Sequence, residues 1–184
     1  LDAAREVFGE LGYETATVRD IIRRTGLAAG TFYNYYRSKE EVFAALADDG
    51  ARRFAPILKS LRGKGYSFEA FVHKAISAYF GFIADEHANS AARRPAGEPP
   101  MPVPGEPPAM AAVFAEIRDA MAEDIAERRG PFADPDYMAA ACIAIAREVG
   151  DKMLERRPVD TAGATEFAVS MILGGLKGLP KASA

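Results

Sequence analysis

At 184 residues, 49% hydrophobic and with a formal net charge of −3, the chain has room for one domain, or for a small module plus a larger one, and lies outside the disordered range. No apolar run approaches the roughly 20 residues that span a bilayer, no signal-peptide pattern opens the chain, and the single cysteine, Cys142, excludes an internal disulfide. A reducing, cytoplasmic setting with no membrane partner and no cofactor is expected.

Leu1, Ala4, Val7, Phe8 and Leu11 recur at steps of three and four, the stripe of an amphipathic helix, and Gly12 suits its C-terminal cap. The register is already running at Leu1, as it would if further residues preceded it in the full protein. Thr17 followed by Asp20 marks the start of a second helix, with an acid in the favourable first turn. Val18, Ile21 and Ile22 face inward until Gly26 ends it. Residues 27–36 read as a third short helix, and Ser38 with Glu41 has the spacing of a capping box for a fourth. Three short helices, two of them joined by a glycine-containing turn, form a helix-turn-helix pattern. Spacing alone leaves an ordinary small bundle equally open.

Charge distribution favours the first of these. Between Thr17 and Lys39 five bases (Arg19, Arg23, Arg24, Arg37, Lys39) face one acid, Asp20, a local charge of 5 − 1 = +4 on an acidic chain. Such a patch suits a small face for duplex DNA.

The fourth helix carries Val42, Phe43, Leu46, Phe54, Ile57, Leu58 and Leu61, with Pro56 inside it removing one backbone hydrogen bond and bending it. Gly63-Lys64-Gly65 is a turn. Ser67 caps a long helix with a core stripe from Phe68 to Ile83. From residue 89 to 108 the pattern collapses among seven prolines, so an irregular insertion is expected there. Helix resumes with Met110, Val113, Phe114, Ile117, Met121 and Ile125 and stops at Gly130-Pro131. Asp134-Pro135 opens the next, since proline fits the first helical position and aspartate the cap. Asp160 or Thr161 opens the last. The chain reads as all-α.

Three stretches, Phe8-Gly-Glu-Leu-Gly-Tyr13, Thr17-Val-Arg-Asp-Ile-Ile22 and Gly26-Leu-Ala-Ala-Gly-Thr-Phe-Tyr33, together with Asn34-Tyr-Tyr-Arg-Ser-Lys-Glu40, resemble the TetR/AcrR family of transcriptional regulators. The resemblance covers about the first 47 residues. It implies a helix-turn-helix DNA-binding domain over 1–47 and a helical effector-binding and dimerisation domain over 48–184. The implied function is a sequence-specific repressor released from its operator by a small apolar or aromatic ligand.

The residues themselves give a contact map. Gly30 lets the third helix approach a groove closely. Thr31, Tyr33, Asn34 and Tyr35 are its exposed polar groups; phenols reach phosphate oxygens, and an asparagine pairs with adenine or phosphate. Lys39 and Thr17 are expected to meet phosphates at the starts of their helices. Phe32 is expected in the core, Tyr36 half in it, and Arg23 and Arg24 as solvated charges. Two departures from the family pattern stand out. Ala28 and Ala29 occupy positions usually held by a capping serine and a contact residue, and a histidine common at Tyr35 is absent. Alanine retains only contact with a thymine methyl, so readout is expected to lean on phosphates and DNA shape.

The resemblance also implies a homodimer through the last two helices, and hence a roughly palindromic operator. Ala139-Ala140-Ala141 and Gly174-Gly175, among Met138, Ile145, Val149, Phe167, Met171 and Ile172, suit close helix approach; fitting the monomer's own core is the alternative. A ligand pocket is expected near Phe54, Phe71, Tyr79, Phe82, Met121 and Tyr137, with movement of the fourth helix relaying occupancy to the DNA. His73 and His87, fourteen residues apart, lie about 21 Å apart along a helix and cannot share a metal. No nucleophile triad, phosphate loop or metal spacing is legible, so an enzyme is not expected. A DNA-binding regulator without a small-molecule effector is the other reading.

Overall fold

A computed structural model describes residues 1–91, 109–128 and 134–178. Among these residues it contains eight helices and no strand: α1 Asp2–Leu11, α2 Val18–Thr25, α3 Ala29–Tyr33, α4 Lys39–Arg62, α5 Phe68–Ala91, α6 Met110–Arg128, α7 Pro135–Glu155 and α8 Thr161–Gly178. The all-α reading is therefore correct. Of the proline-rich stretch, residues 92–108 lie outside the described residues, as do residues 130 and 131. Residues 89–91, expected to be irregular, instead finish α5. The prolines begin only at residue 95, so nothing in the backbone stops the helix earlier.

Local chemistry sets most boundaries. Gly26 ends α2 at φ 68°, a left-handed conformation that costs glycine nothing. The Ser67 hydroxyl accepts from the Ala70 N–H (3.3 Å) at the start of α5. Asp134 accepts from Asp136 and Tyr137 N–H ahead of Pro135, and Asp160 accepts from Gly163 N–H (2.8 Å) ahead of α8. At α4 the expected capping box is only half formed. Ser38 Oγ accepts from Glu41 N–H (3.2 Å), but the Glu41 carboxylate turns to the Arg37 N–H (2.5 Å). Helix α4 runs unbroken through Pro56.

Two apolar cores result. The first joins Val7 and Phe8 of α1, Ile21 of α2, Phe32 of α3, and Val42 and Phe43 of α4. Phe8, Tyr13 and Phe43 stack as a triad with ring centres 4.7–5.8 Å apart. Burying a phenylalanine as fully as Phe8 contributes about 1.5–3 kcal/mol. The second core joins Phe54 and Leu58 of α4 with Phe71, Ile76 and Phe80 of α5, Val113 of α6, Met153 of α7 and Ile172 of α8. Helix α4 thus belongs to both cores. Helix α7 closes on α5 at Gly150, where a Cβ would stand 2.7 Å from Ile83 Cδ1 and 3.3 Å from Phe80. A larger residue there requires the Ile83 terminal methyl to move.

Candidate nucleic-acid interface

Helix α3 is five residues long, shorter than the 27–36 read from the sequence. The Thr25 hydroxyl explains the late start. It donates to the Ile22 carbonyl (2.7 Å) and accepts from the Leu27 N–H (3.1 Å), holding Leu27 in the turn. Ala28 is extended and makes no side-chain cap, as expected of alanine. Beyond Tyr33 the chain continues in turns, with the Asn34 N–H donating to Gly30 O (3.2 Å) and the Tyr36 N–H to Phe32 O (3.0 Å).

This short element is oriented by Phe32, which is buried in the first core. With Phe32 inward, the rest of the turn faces out: Ala28, Ala29, Gly30 and Asn34 are exposed, Tyr33 is 55% exposed and Tyr35 76%, and Thr31 is half-buried. Tyr33 rests edge-on against Phe32 (5.5 Å), so its ring is braced while the residue stays exposed. A Cβ on Gly30 would meet nothing within 4 Å. The protein interior therefore does not require a glycine there. Leu27, also exposed, adds an apolar side chain to this face that the sequence reading left out.

The flanking residues behave differently from the α3 group. The Thr17 hydroxyl donates to Asp20 Oδ2 (2.5 Å) and accepts from the Asp20 N–H, while the Thr17 N–H returns to the same carboxylate (3.0 Å). These bonds complete the reciprocal box and hold the Asp20 carboxyl below its ordinary range. The Lys39 ammonium donates to Tyr13 O (2.7 Å) and Glu14 O (3.3 Å) and lies over the Tyr13 ring at 4.4 Å. Two of its three protons are spent within the protein. Tyr13 itself is pushed up by burial and by Glu40, whose carboxylate accepts its hydroxyl at 3.4 Å.

Arg24 is exposed, as expected, but it is also paired. It bonds Glu6 (3.0 Å) and Glu10 (2.9 Å), pinning the end of α2 to α1, and these acids push its own pKa up. Of the five bases in the +4 segment, Arg19, Arg23, Arg24 and Arg37 are exposed, with Arg24 held by its two acids and Arg23 3.6 Å from Asp20. The usable positive field is narrower than the sequence count. Arg24 and Lys39 stiffen the platform that carries α3.

In the larger core, four of the six expected pocket residues, Phe54, Phe71, Tyr79 and Phe82, gather on α4 and α5. Phe54, Phe71 and Met121 are buried, and Tyr79 and Phe82 lie 5.4 and 5.8 Å from Phe54. Burial pushes the Tyr79 hydroxyl up to about 12 and the Cys142 thiol likewise to about 12. Tyr137 stands apart, 78% exposed at the start of α7. A cleft of about 100 Å³ opens beside Phe71, lined by Leu61, Tyr66 and Phe68 with Arg62, Glu123 and Asp124 at its polar side. His73 pairs with Glu166 (2.9 Å) and His87 lies 3.4 Å from Arg157. Among the described residues no three candidate ligands come together as a metal site, and no helix is long and apolar enough to cross a membrane.

The small residues expected to pair the last two helices divide into two sets. Met138, Ala139 and Ile172 are buried in the chain's own core. Ala140, Ala141, Gly174 and Gly175 are exposed, alongside Phe167 (58%) and Met171 (53%), and so are Ala144 and Ser170, which the sequence pattern did not single out. A Cβ on Gly174 or Gly175 would meet nothing, so packing within the chain does not explain either glycine.

Comparison with known proteins places these features. A family model described as bacterial regulatory proteins, tetR family, matches residues 1–46. The transcriptional repressor AcnR of Corynebacterium glutamicum is 41% identical over 58 residues, 32% of this chain and 31% of that protein. The fatty acid metabolism regulator protein of Bacillus subtilis is 31% identical over 88 residues, 47% of this chain and 45% of that protein. The chain thus aligns with less than half the length of these curated relatives. Over the whole fold, the transcriptional regulator FadR from Bacillus subtilis, solved in complex with stearoyl-CoA, superposes with a TM-score of 0.71 at 16% identity, covering 95% of this chain and 96% of that one. Residues 1–46 thus match the tetR family of bacterial regulatory proteins, and the described helices share the fold of the Bacillus subtilis regulator.

Proposed function

We propose that the chain is a cytoplasmic transcriptional repressor, not an enzyme. In this reading residues 1–47 bind a roughly palindromic duplex operator, and residues 48–184 bind a small apolar effector and a second copy of the chain. One observation carries the reading: α3 buries Phe32 and turns Gly30, Tyr33, Asn34 and Tyr35 to solvent on a braced platform. A glycine that the interior does not need, among exposed phenols and an amide, fits an element built to lie against a groove.

The geometry supports the following roles. Tyr33 and Tyr35 donate to phosphates, Asn34 reads a base edge or a phosphate, and Ala28, Ala29 and Thr31 line the groove side of the turn. Thr17 contributes through the start of α2 that it caps, and Lys39 through the turn between α1 and α2 that it braces, since their polar groups are largely committed to the protein. The exposed Phe167, Met171, Gly174 and Gly175 of α8, with Ala140, Ala141 and Ala144 of α7, fit the seam of a four-helix bundle between two copies. Two-fold symmetry then sets two α3 elements in successive major grooves.

For the effector, the cluster of Phe54, Tyr79 and Phe82 on α4 and α5 favours an apolar molecule. The Bacillus subtilis neighbour with stearoyl-CoA makes a long-chain acyl-CoA the first probe. Duplexes selected by the protein from a random pool, then sequenced, test the DNA reading. The expected result is a half-site repeated in inverted orientation; a pool that stays random after several rounds rejects it. Thermal-shift titration with stearoyl-CoA tests the effector class, because a saturating ligand raises the melting temperature by mass action.

A further inference from the structure

The two cores meet along α4, and one polar network crosses that seam. Arg5 of α1 donates to Asp49 Oδ2 of α4 at 2.8 Å, and the same oxygen accepts from Arg53 Nε at 3.1 Å. Arg53 then grips both oxygens of Glu86 on α5, each at 2.9 Å. Arg5 Nε lies 3.9 Å from Glu86 Oε2. Each guanidinium therefore engages both carboxylates, and the four side chains tie three helices at one point. Their side chains are 31–41% exposed, so solvent screens them only in part. The Arg53 guanidinium also lies over the Phe82 ring, 5.3 Å from its centre. Hydrogen bonding to Arg53 holds the Glu86 carboxyl below its ordinary range, so the network is charged at neutral pH.

We infer that this network is the positioning device that sets the angle of the α1–α3 module on the helical body. Apolar contact alone leaves such an angle soft, because it is non-directional. A forked arginine–carboxylate pair fixes orientation as well as distance. Arg5 belongs to the module, Glu86 to the body, and Asp49 and Arg53 to the helix that both share. Contact with Phe82 also gives the aromatic cluster a mechanical route to α1 through Arg53. The consequence for DNA rests on the regulator reading above; the geometry does not.

The test measures the angle directly. Spin labels are placed at Arg23→Cys on α2 and Ser77→Cys on α5, both exposed, in a Cys142→Ala background. Labelled protein is diluted with unlabelled chain so that only the distance within one chain is read. The intact network should give one narrow distance distribution. Glu86→Gln, which keeps the side-chain volume, should at least double its width, and Arg5→Gln should do the same if the first variant folds poorly. Phe82→Leu should widen it less. On a selected duplex Glu86→Gln should weaken binding about tenfold, within the usual range of coupling between sites, while the helix content stays that of the parent. Unchanged widths in Glu86→Gln and Arg5→Gln overturn the inference. Binding of no duplex by the parent defeats the regulator reading instead, and the distance measurement still decides this one.

Discussion

Replacing Lys39 with alanine separates two roles that the sequence does not distinguish. A lysine whose ammonium meets a phosphate contributes through counterion release, and its loss reduces the salt slope of binding by about 0.9. In the structure that ammonium bonds Tyr13 O at 2.7 Å in a part-buried position and Glu14 O at 3.3 Å, over the Tyr13 ring. A hydrogen bond to a charged group contributes about 1.5–3 kcal/mol. The freed carbonyls regain water, so the lower end applies, and an exposed cation–π contact adds about 0.5 kcal/mol. The loss comes to about 2 kcal/mol. At about 2–4 °C per kcal/mol for a chain of this size, Lys39→Ala should lower the melting temperature by about 4–8 °C. Circular dichroism melting and DNA titration at four salt concentrations measure both quantities. A salt slope that falls by a full phosphate's worth, with the melting temperature unmoved, refutes the argument.

Gly30→Leu should leave the melting temperature unchanged or slightly raised, since a Cβ there meets nothing and glycine is a poor helix former, yet abolish binding to a selected duplex. Gel-shift titration beside the melting curve checks this. Phe167→Glu should give a folded monomer by analytical ultracentrifugation, because the side chain lies outside the chain's own core. Glu86 predicts a pH dependence. Its folded pKa is lowered by Arg53, so its contribution is complete above the ordinary glutamate value of 4.5 and is lost as pH falls through the lowered one. Melting temperatures of the parent and Glu86→Gln should therefore differ at about pH 6 and converge as pH falls below the carboxylate range.

What was legible in the sequence was local. The Thr17–Asp20 box, Gly26, Ser67, Asp134 and Asp160 each act on backbone groups within three residues of themselves, so spacing alone finds them. The inward Phe32 and outward Tyr33 follow from the same turn. What was not legible depends on partners distant in sequence. Lys39 turns to carbonyls 25 and 26 residues away, and Arg24 to acids 14 and 18 residues away, so a charge expected at a phosphate and another expected in solvent both brace the protein. The Asp49–Arg53 pair is visible at i, i+4 on α4, but nothing in the pattern says that Arg5 and Glu86 complete it. Small residues on α7 and α8 show that helices pack closely, not which side they pack on. Met138 and Ala139 went to the chain's own core, while Ala140 and Gly174 stayed exposed. Tyr137 illustrates the same limit. An aromatic residue in the right half of the chain need not join the others, and its place at the first turn of α7 leaves it outside.

The claim that α3 enters the major groove is tested most directly by cleaving DNA from α3 itself. An iron chelate tethered at Thr31→Cys, in a Cys142→Ala background and on a selected duplex, should cut at two places about one helical turn apart. The same chelate at Ser77→Cys on α5 should cut weakly or not at all. Strong cleavage from α5 with none from α3 would contradict the account.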